Sequence, residues 1–222
     1  MSRIRDLGAK RYGPPLLLIL LSMIFIMAAP AGKWAEVIAL NLQAFALFAS
    51  VRAARPHTRV RVAVGVLIGI IIAASWVEAL LTVDVTGDFA HLATFLLVLI
   101  ATPVIALGLV RQVREVGKIT TQTMLGVICI YLLMCLAFAS AFAAISSISG
   151  DPFFTQGASW DKLSNYLYYS LTTITTMGIG DLTPATSIGR SLTAAEGLIG
   201  QIYVVTVVAV IVGNLGRTRN DG

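Results

Sequence analysis

Between Lys162 and Asp181 lie eighteen residues without a formal charge. Ser164, Asn165, Ser170, Thr172, Thr173, Thr175 and Thr176 make this stretch polar, and Gly178 and Gly180 break it near its end. It is too polar to cross a membrane as an ordinary span. A crossing here would also carry Arg217 and Arg219 to the wrong face. The pattern fits a re-entrant loop, in which a short helix over Leu163 to Ile174 descends and the chain returns as extended backbone. Ser159 or Asp161 is expected to cap that helix. Irregular backbone at membrane depth is tolerated only where it is buried in protein or lines a water-filled cavity. About three helical turns, roughly 18 Å, reach mid-membrane. The helix then presents its negative C-terminal end at the centre, which favours a cation. The chemistry on offer is therefore non-covalent. The sequence contains no zinc-ligand cluster, Cys/His nucleophile pair or phosphate loop, so an enzyme is not expected.

The elements that must position this loop follow from composition. The chain has 222 residues, 57% hydrophobic and 12% charged, against about 25% charged in a soluble domain. Its mean hydropathy is +0.87. These values exclude a soluble globule and a disordered chain. Six apolar runs read as helical spans: Pro14 to Ala31, Val37 to Val51 with Trp34 as an anchor, Val62 to Val83, Phe89 to Val110, Ile119 to Gly150 and Ser191 to Gly216. Thirteen of the sixteen Lys and Arg residues then fall on one side. By the positive-inside rule that side is cytoplasmic, with both termini there. The net charge of +5 is thus explained by topology, and no nucleic-acid partner is expected. A cleaved signal peptide ending near Ala29-Pro30-Ala31 is the competing reading of the first run. Cys129 and Cys135 share one span and read as small buried hydrophobes. The chain divides by character into a four-helix peripheral domain, residues 1–118, and a pore domain, residues 119–222.

Thr172-Thr173-Ile174-Thr175-Thr176-Met177-Gly178-Ile179-Gly180-Asp181 resembles the signature of potassium channels, whose return strand reads Thr-Val-Gly-Tyr-Gly-Asp. A filter lined by backbone carbonyls is a known property of that family, so the following roles are what the resemblance implies. Backbone carbonyls replace the hydration shell of K+ at Thr176, Met177, Gly178 and Ile179, and Gly180 closes the outer end. The Thr176 hydroxyl adds a ring of oxygens at the inner mouth. Tyr168 and Tyr169 stand where relatives carry an aromatic pair that braces the filter. Asp181 is expected to bond one of them, and Gly200 falls at the usual inner-helix hinge. The motif-bearing match runs from about Tyr168 to Gly200. Ile179 departs from the family's Tyr and cannot hydrogen-bond in the brace; Met177 departs from Val and packs less rigidly.

Glu196 lies one turn before Gly200 on the same face. A charge inside a span is costly and usually functional. It is expected to pack behind the filter against Thr172 or Thr173, the alternative being a carboxylate that snorkels outward. Glu78 and His91 read as interfacial residues. The fourth run carries no arginine within the membrane, and Arg111, Arg114 and Lys118 follow it as an inside anchor, so no strong voltage sensor is expected. Pro103 should kink that run. Gln201, Val204 and Val208 are expected to line the inner cavity.

The expected fold is an all-α integral membrane protein, with six transmembrane helices and a re-entrant pore helix and selectivity-filter loop between the fifth and sixth. The expected function is a passive potassium channel subunit in the cell membrane, assembled as a homotetramer. Its expected partners are membrane lipids and permeant K+, with no cofactor and no soluble ligand-binding domain. A weakly selective cation channel is the first alternative. A secondary transporter and a non-conducting regulatory subunit are the others.

Overall fold

The computed structural model describes residues 12–29, 33–54, 58–81, 121–160 and 162–209, with six positions between 99 and 108. Among the described residues there are six α-helices and no strand: α1 Gly13–Ala28, α2 Lys33–Ala54, α3 Thr58–Leu81, α4 Thr121–Ser149, α5 Leu163–Ile174 and α6 Ser187–Tyr203. A 3-10 turn at Ala158–Trp160 precedes α5, and a π turn at Val204–Val208 continues α6. Two stretches, Val37–Ala54 of α2 and Thr121–Ser149 of α4, are long and apolar enough to cross a membrane. The apolar helical stretches Gly13–Ala28 and Val62–Ala73 are shorter. Sixteen residues of α1 extend about 24 Å, short of a hydrocarbon core of about 30 Å. Ala29 turns extended there (ψ 138°), as the residue before Pro30 tends to do. The expected fourth run, with His91, lies almost wholly outside the described residues, as do Arg111, Arg114, Lys118, Arg217 and Arg219.

The segment from residue 159 onward matches the expected helix closely and its caps less so. The span of α5 is Leu163–Ile174, as the pattern predicted, but its N-cap is Lys162, with no side-chain bond. Ser159 is not the cap, because it belongs to the preceding 3-10 turn. The start is held instead by the Lys162 carbonyl, which accepts from Asn165 N at 2.9 Å and Tyr166 N at 3.0 Å. Asn165 Nδ2 reaches back to the Trp160 carbonyl at 2.7 Å. The last helix begins four residues before the expected Ser191, because Thr186 caps it: its Oγ1 accepts from Gly189 N at 3.1 Å. Removing this cap in Thr186→Ala should cost about 1 kcal/mol of stability, read as a lower midpoint in thermal unfolding of detergent-solubilised protein.

Lipid tails are as apolar as leucine, so helices in a membrane associate through close packing and hydrogen bonds. The core fits that description. In α1, Ile19 and Ser22 are fully buried, and the helix packs against α2, α4 and α5. Tyr12 N donates to Gln122 Oε1 at 3.0 Å, which puts the start of α1 beside the start of α4. Cys129 and Cys135 are free and buried, as expected of small core residues. Above them Phe142 meets Phe153 at 4.9 Å and Tyr169 at 5.3 Å between ring centroids, and Phe154 stacks on Tyr166 at 5.3 Å. This aromatic cluster joins α4, α5 and the loop between them.

Candidate functional site

The return from α5 is a run of alternating backbone handedness. Thr176, Gly178 and Gly180 have φ of 59°, 53° and 81°, whereas Met177 and Ile179 between them do not have positive φ. Glycine adopts this region freely. A β-branched residue does not, so Thr176 is strained and must be held by its surroundings. Two bonds from the turn do so: Thr176 N donates to the Thr173 carbonyl at 2.9 Å, and Gly178 N to the Thr172 carbonyl at 3.0 Å. Across a trans peptide the C=O points opposite to the N–H. Because Gly178 N faces α5, the Met177 carbonyl faces away from it.

The side chains here are exposed in the single subunit, Met177 by 70% and Ile179 by 58%. Thr172 does not contribute a side-chain oxygen to this surface; its Oγ1 donates to the Tyr169 carbonyl at 3.0 Å within α5.

The two tyrosines of the pair do different things. Tyr168 Oη donates to Asp181 Oδ2 at 3.0 Å, and Asp181 Oδ1 accepts from Leu182 N at 3.0 Å. Tyr169 Oη lies 2.9 Å from Thr193 Oγ1. Since Thr193 spends its one hydroxyl hydrogen on the Gly189 carbonyl at 2.8 Å, Tyr169 is the donor. Tyr168 thus ties α5 to the segment after the loop, and Tyr169 ties it to α6.

Glu196 is fully buried, which removes the snorkelling alternative. Its partner is neither Thr172 nor Thr173 but Ser170, whose hydroxyl contacts Glu196 Oε1. The reason is helix rotation: Gly197, the next residue, faces the Thr173 carbonyl, so Glu196 is turned toward the preceding part of α5. Ser170 Oγ also lies 2.8 Å from the Cys135 carbonyl, so α4, α5 and α6 meet at one polar point. Gln at this position can still accept from, or donate to, Ser170; Ala can do neither and leaves a void. Glu196→Ala should therefore lose about 2–4 kcal/mol of stability, with Glu196→Gln closer to the parent, measured by thermal unfolding of the purified assembly.

Gly200 lies within a helix that stays α-helical to Tyr203, and the departure from α geometry begins at Val204. In place of a bend at Gly200, the structure has a close crossing: a Cβ there would come within 2.5 Å of Ile174 Cγ1 and 2.8 Å of the Ile174 carbonyl oxygen. Gln201 and Val204, expected to line the cavity, are exposed; the Val208 side chain lies outside the described ones.

Sequence reasoning did not single out the segment 153–156, which clamps the chain beyond the loop. Ala185 N donates to the Phe153 carbonyl at 2.8 Å and Thr155 N to the Thr183 carbonyl at 2.9 Å. Phe154 and Pro184 form an isolated antiparallel bridge. Gln156 Nε2 donates to the Asp181 carbonyl at 2.6 Å. The adjacent Phe153-Phe154 pair in an otherwise polar gap was the available signal.

The site is thus a short helix followed by a turn of alternating handedness, set between apolar helices. No curated protein and no solved structure matches the chain. Residues 130–216, from within α4 past the π turn, match the family model described as ion channel. That stretch, 87 of the 222 residues, is similar to an ion-channel family.

Proposed function

We propose that four copies of this chain form a passive, potassium-selective channel in the cell membrane, with six spans per subunit and both termini in the cytoplasm. The observation that carries the reading is the alternation of positive φ at Thr176, Gly178 and Gly180, with Gly178 N turned back onto α5. That geometry directs successive carbonyls to one side. One copy offers one wall of oxygens, whereas a closed four-fold ring surrounds an ion. The exposure of Met177 and Ile179 supports cover by neighbouring copies. In this reading Thr176, Met177, Gly178, Ile179 and Gly180 form the filter. Tyr168, Tyr169, Thr172, Asp181 and Glu196 support it, and Gly200 lets the inner helix approach its base. The ion crosses without a cofactor, and neighbouring ions in the filter drive one another onward.

A second reading, a weakly selective cation channel, is favoured by Ile179. Its side chain has no hydrogen-bonding atom, so the filter's outer half lacks the tie that a tyrosine hydroxyl would supply. Purified protein in planar bilayers with K+ on one side and Na+ on the other separates the two. A reversal potential far from zero supports the first reading, and one near zero supports the second. Absence of passive current in tetramers rejects both.

A further inference from the structure

The four last carbonyls of a helix have no partner inside it. In α5, three of them are taken by the turn that follows: Leu171 O by Thr175 N at 3.2 Å, Thr172 O by Gly178 N at 3.0 Å and Thr173 O by Thr176 N at 2.9 Å. The fourth, Ile174 O, accepts from Tyr131 Oη of α4 at 2.9 Å. We propose that Tyr131 is a positioning residue for ion selection. Its hydroxyl holds the Ile174 carbonyl aside and so sets where the column of ion-binding oxygens begins. This rests on the channel reading above.

Helix carbonyls point toward the C-terminus. Without that donor the buried Ile174 oxygen is left unpaired, and a turn of the peptide between residues 174 and 175 toward another partner shifts the oxygens that follow it. Selection between ions of equal charge depends on the number and placement of coordinating oxygens. A shift of those oxygens weakens it. Tyr131 is itself held in place. Its ring stacks on Tyr203 of α6, with centroids 5.9 Å apart and planes 23° apart. Tyr203 Oη in turn donates to the Val127 carbonyl of α4 at 2.8 Å. The stack lies at the last α-helical residue of α6, directly before the π turn Val204–Val208. Such departures from α geometry often sit at functional positions. Ile174 is consequently gripped from two sides, by the Tyr131 hydroxyl and by the α6 backbone at Gly200.

The test compares the full-length protein with Tyr131→Phe and Tyr203→Phe, each reconstituted in phosphatidylethanolamine–phosphatidylglycerol vesicles and fused to planar bilayers. Both variants keep the ring stack; only the first frees the Ile174 carbonyl. Tyr131→Phe should remain tetrameric, while its Na+ to K+ permeability ratio rises about five-fold, or roughly 1 kcal/mol of lost discrimination. Tyr203→Phe should shift the ratio by less than half as much. An unchanged ratio in Tyr131→Phe, its failure to form tetramers, or an equal shift in Tyr203→Phe overturns the proposal while leaving a potassium-selective parent standing. A parent that does not discriminate the two ions overturns the channel reading and this proposal together.

Discussion

Gly200→Ala should abolish assembly of the pore, whereas Gly197→Ala, three residues earlier on the same helix, should be tolerated. Both changes favour the helix by about 1 kcal/mol, since alanine is the better helix former. They differ in what the added methyl meets. At position 197 the nearest atom to the new Cβ is the Thr173 carbonyl oxygen at 4.0 Å, an ordinary contact. At position 200 the Cβ falls 2.5 Å from Ile174 Cγ1, 2.8 Å from its carbonyl oxygen and 3.4 Å from its Cα. Ile174 has no room to retreat, being 1% exposed, and its carbonyl is already engaged by Tyr131. Overpacking of this kind costs about 1–3 kcal/mol per site, and every copy in the proposed ring of four meets it. Size-exclusion chromatography of the two variants in detergent is the direct measurement, with tetramer lost in Gly200→Ala and kept in Gly197→Ala. If Gly200 served as a hinge alone, its alanine variant would assemble normally and differ only in open probability.

Gly178→Ala should leave the tetramer intact and remove discrimination between potassium and sodium. Within its own chain, no heavy atom lies within 4 Å of the position its Cβ would take. The obstacle is φ of 53°, a left-handed conformation that costs an L-residue with a side chain about 1–2 kcal/mol. Rotation of the peptide between residues 177 and 178 relieves that cost. It also breaks the bond from Gly178 N to Thr172 O and swings the Met177 carbonyl out of line. Coordination by a fixed column is then lost at one level in every subunit. The bi-ionic reversal potential should move to near zero, with the permeability ratio approaching one. An alanine variant with the parent's reversal potential would mean that ions are not coordinated by these carbonyls. The two glycines thus fail for different reasons: at 178 the backbone forbids a side chain, and at 200 a neighbour does.

The contrast shows which features a sequence can disclose. Helix α5 was legible over its full length, Leu163–Ile174, because an uncharged run bounded by Lys162 and broken by Gly178 carries its own limits. Positive φ at Gly178 and Gly180 was legible too, since glycine marks positions closed to other residues. The same angle at Thr176 was not, because a β-branched residue reaches it only under external restraint. The bond between Tyr168 and Asp181 lay within reach of sequence reasoning, which left open only which tyrosine makes it. The start of α6 was missed by four residues, as a threonine cap at residue 186 is a weaker signal than an apolar run.

Sequence alone determined that this is a membrane protein with a polar turn between apolar helices, because composition, glycine spacing and charge placement act locally and add along the chain. Tertiary structure decided that Glu196 meets Ser170 rather than Thr172, that Gly200 is a crossing point against Ile174, and that Tyr131 engages the end of α5. Those partners lie 26 to 43 residues apart in the chain. Which of them touch depends on how each helix is rotated about its axis, and that rotation is settled only when all the helices pack at once.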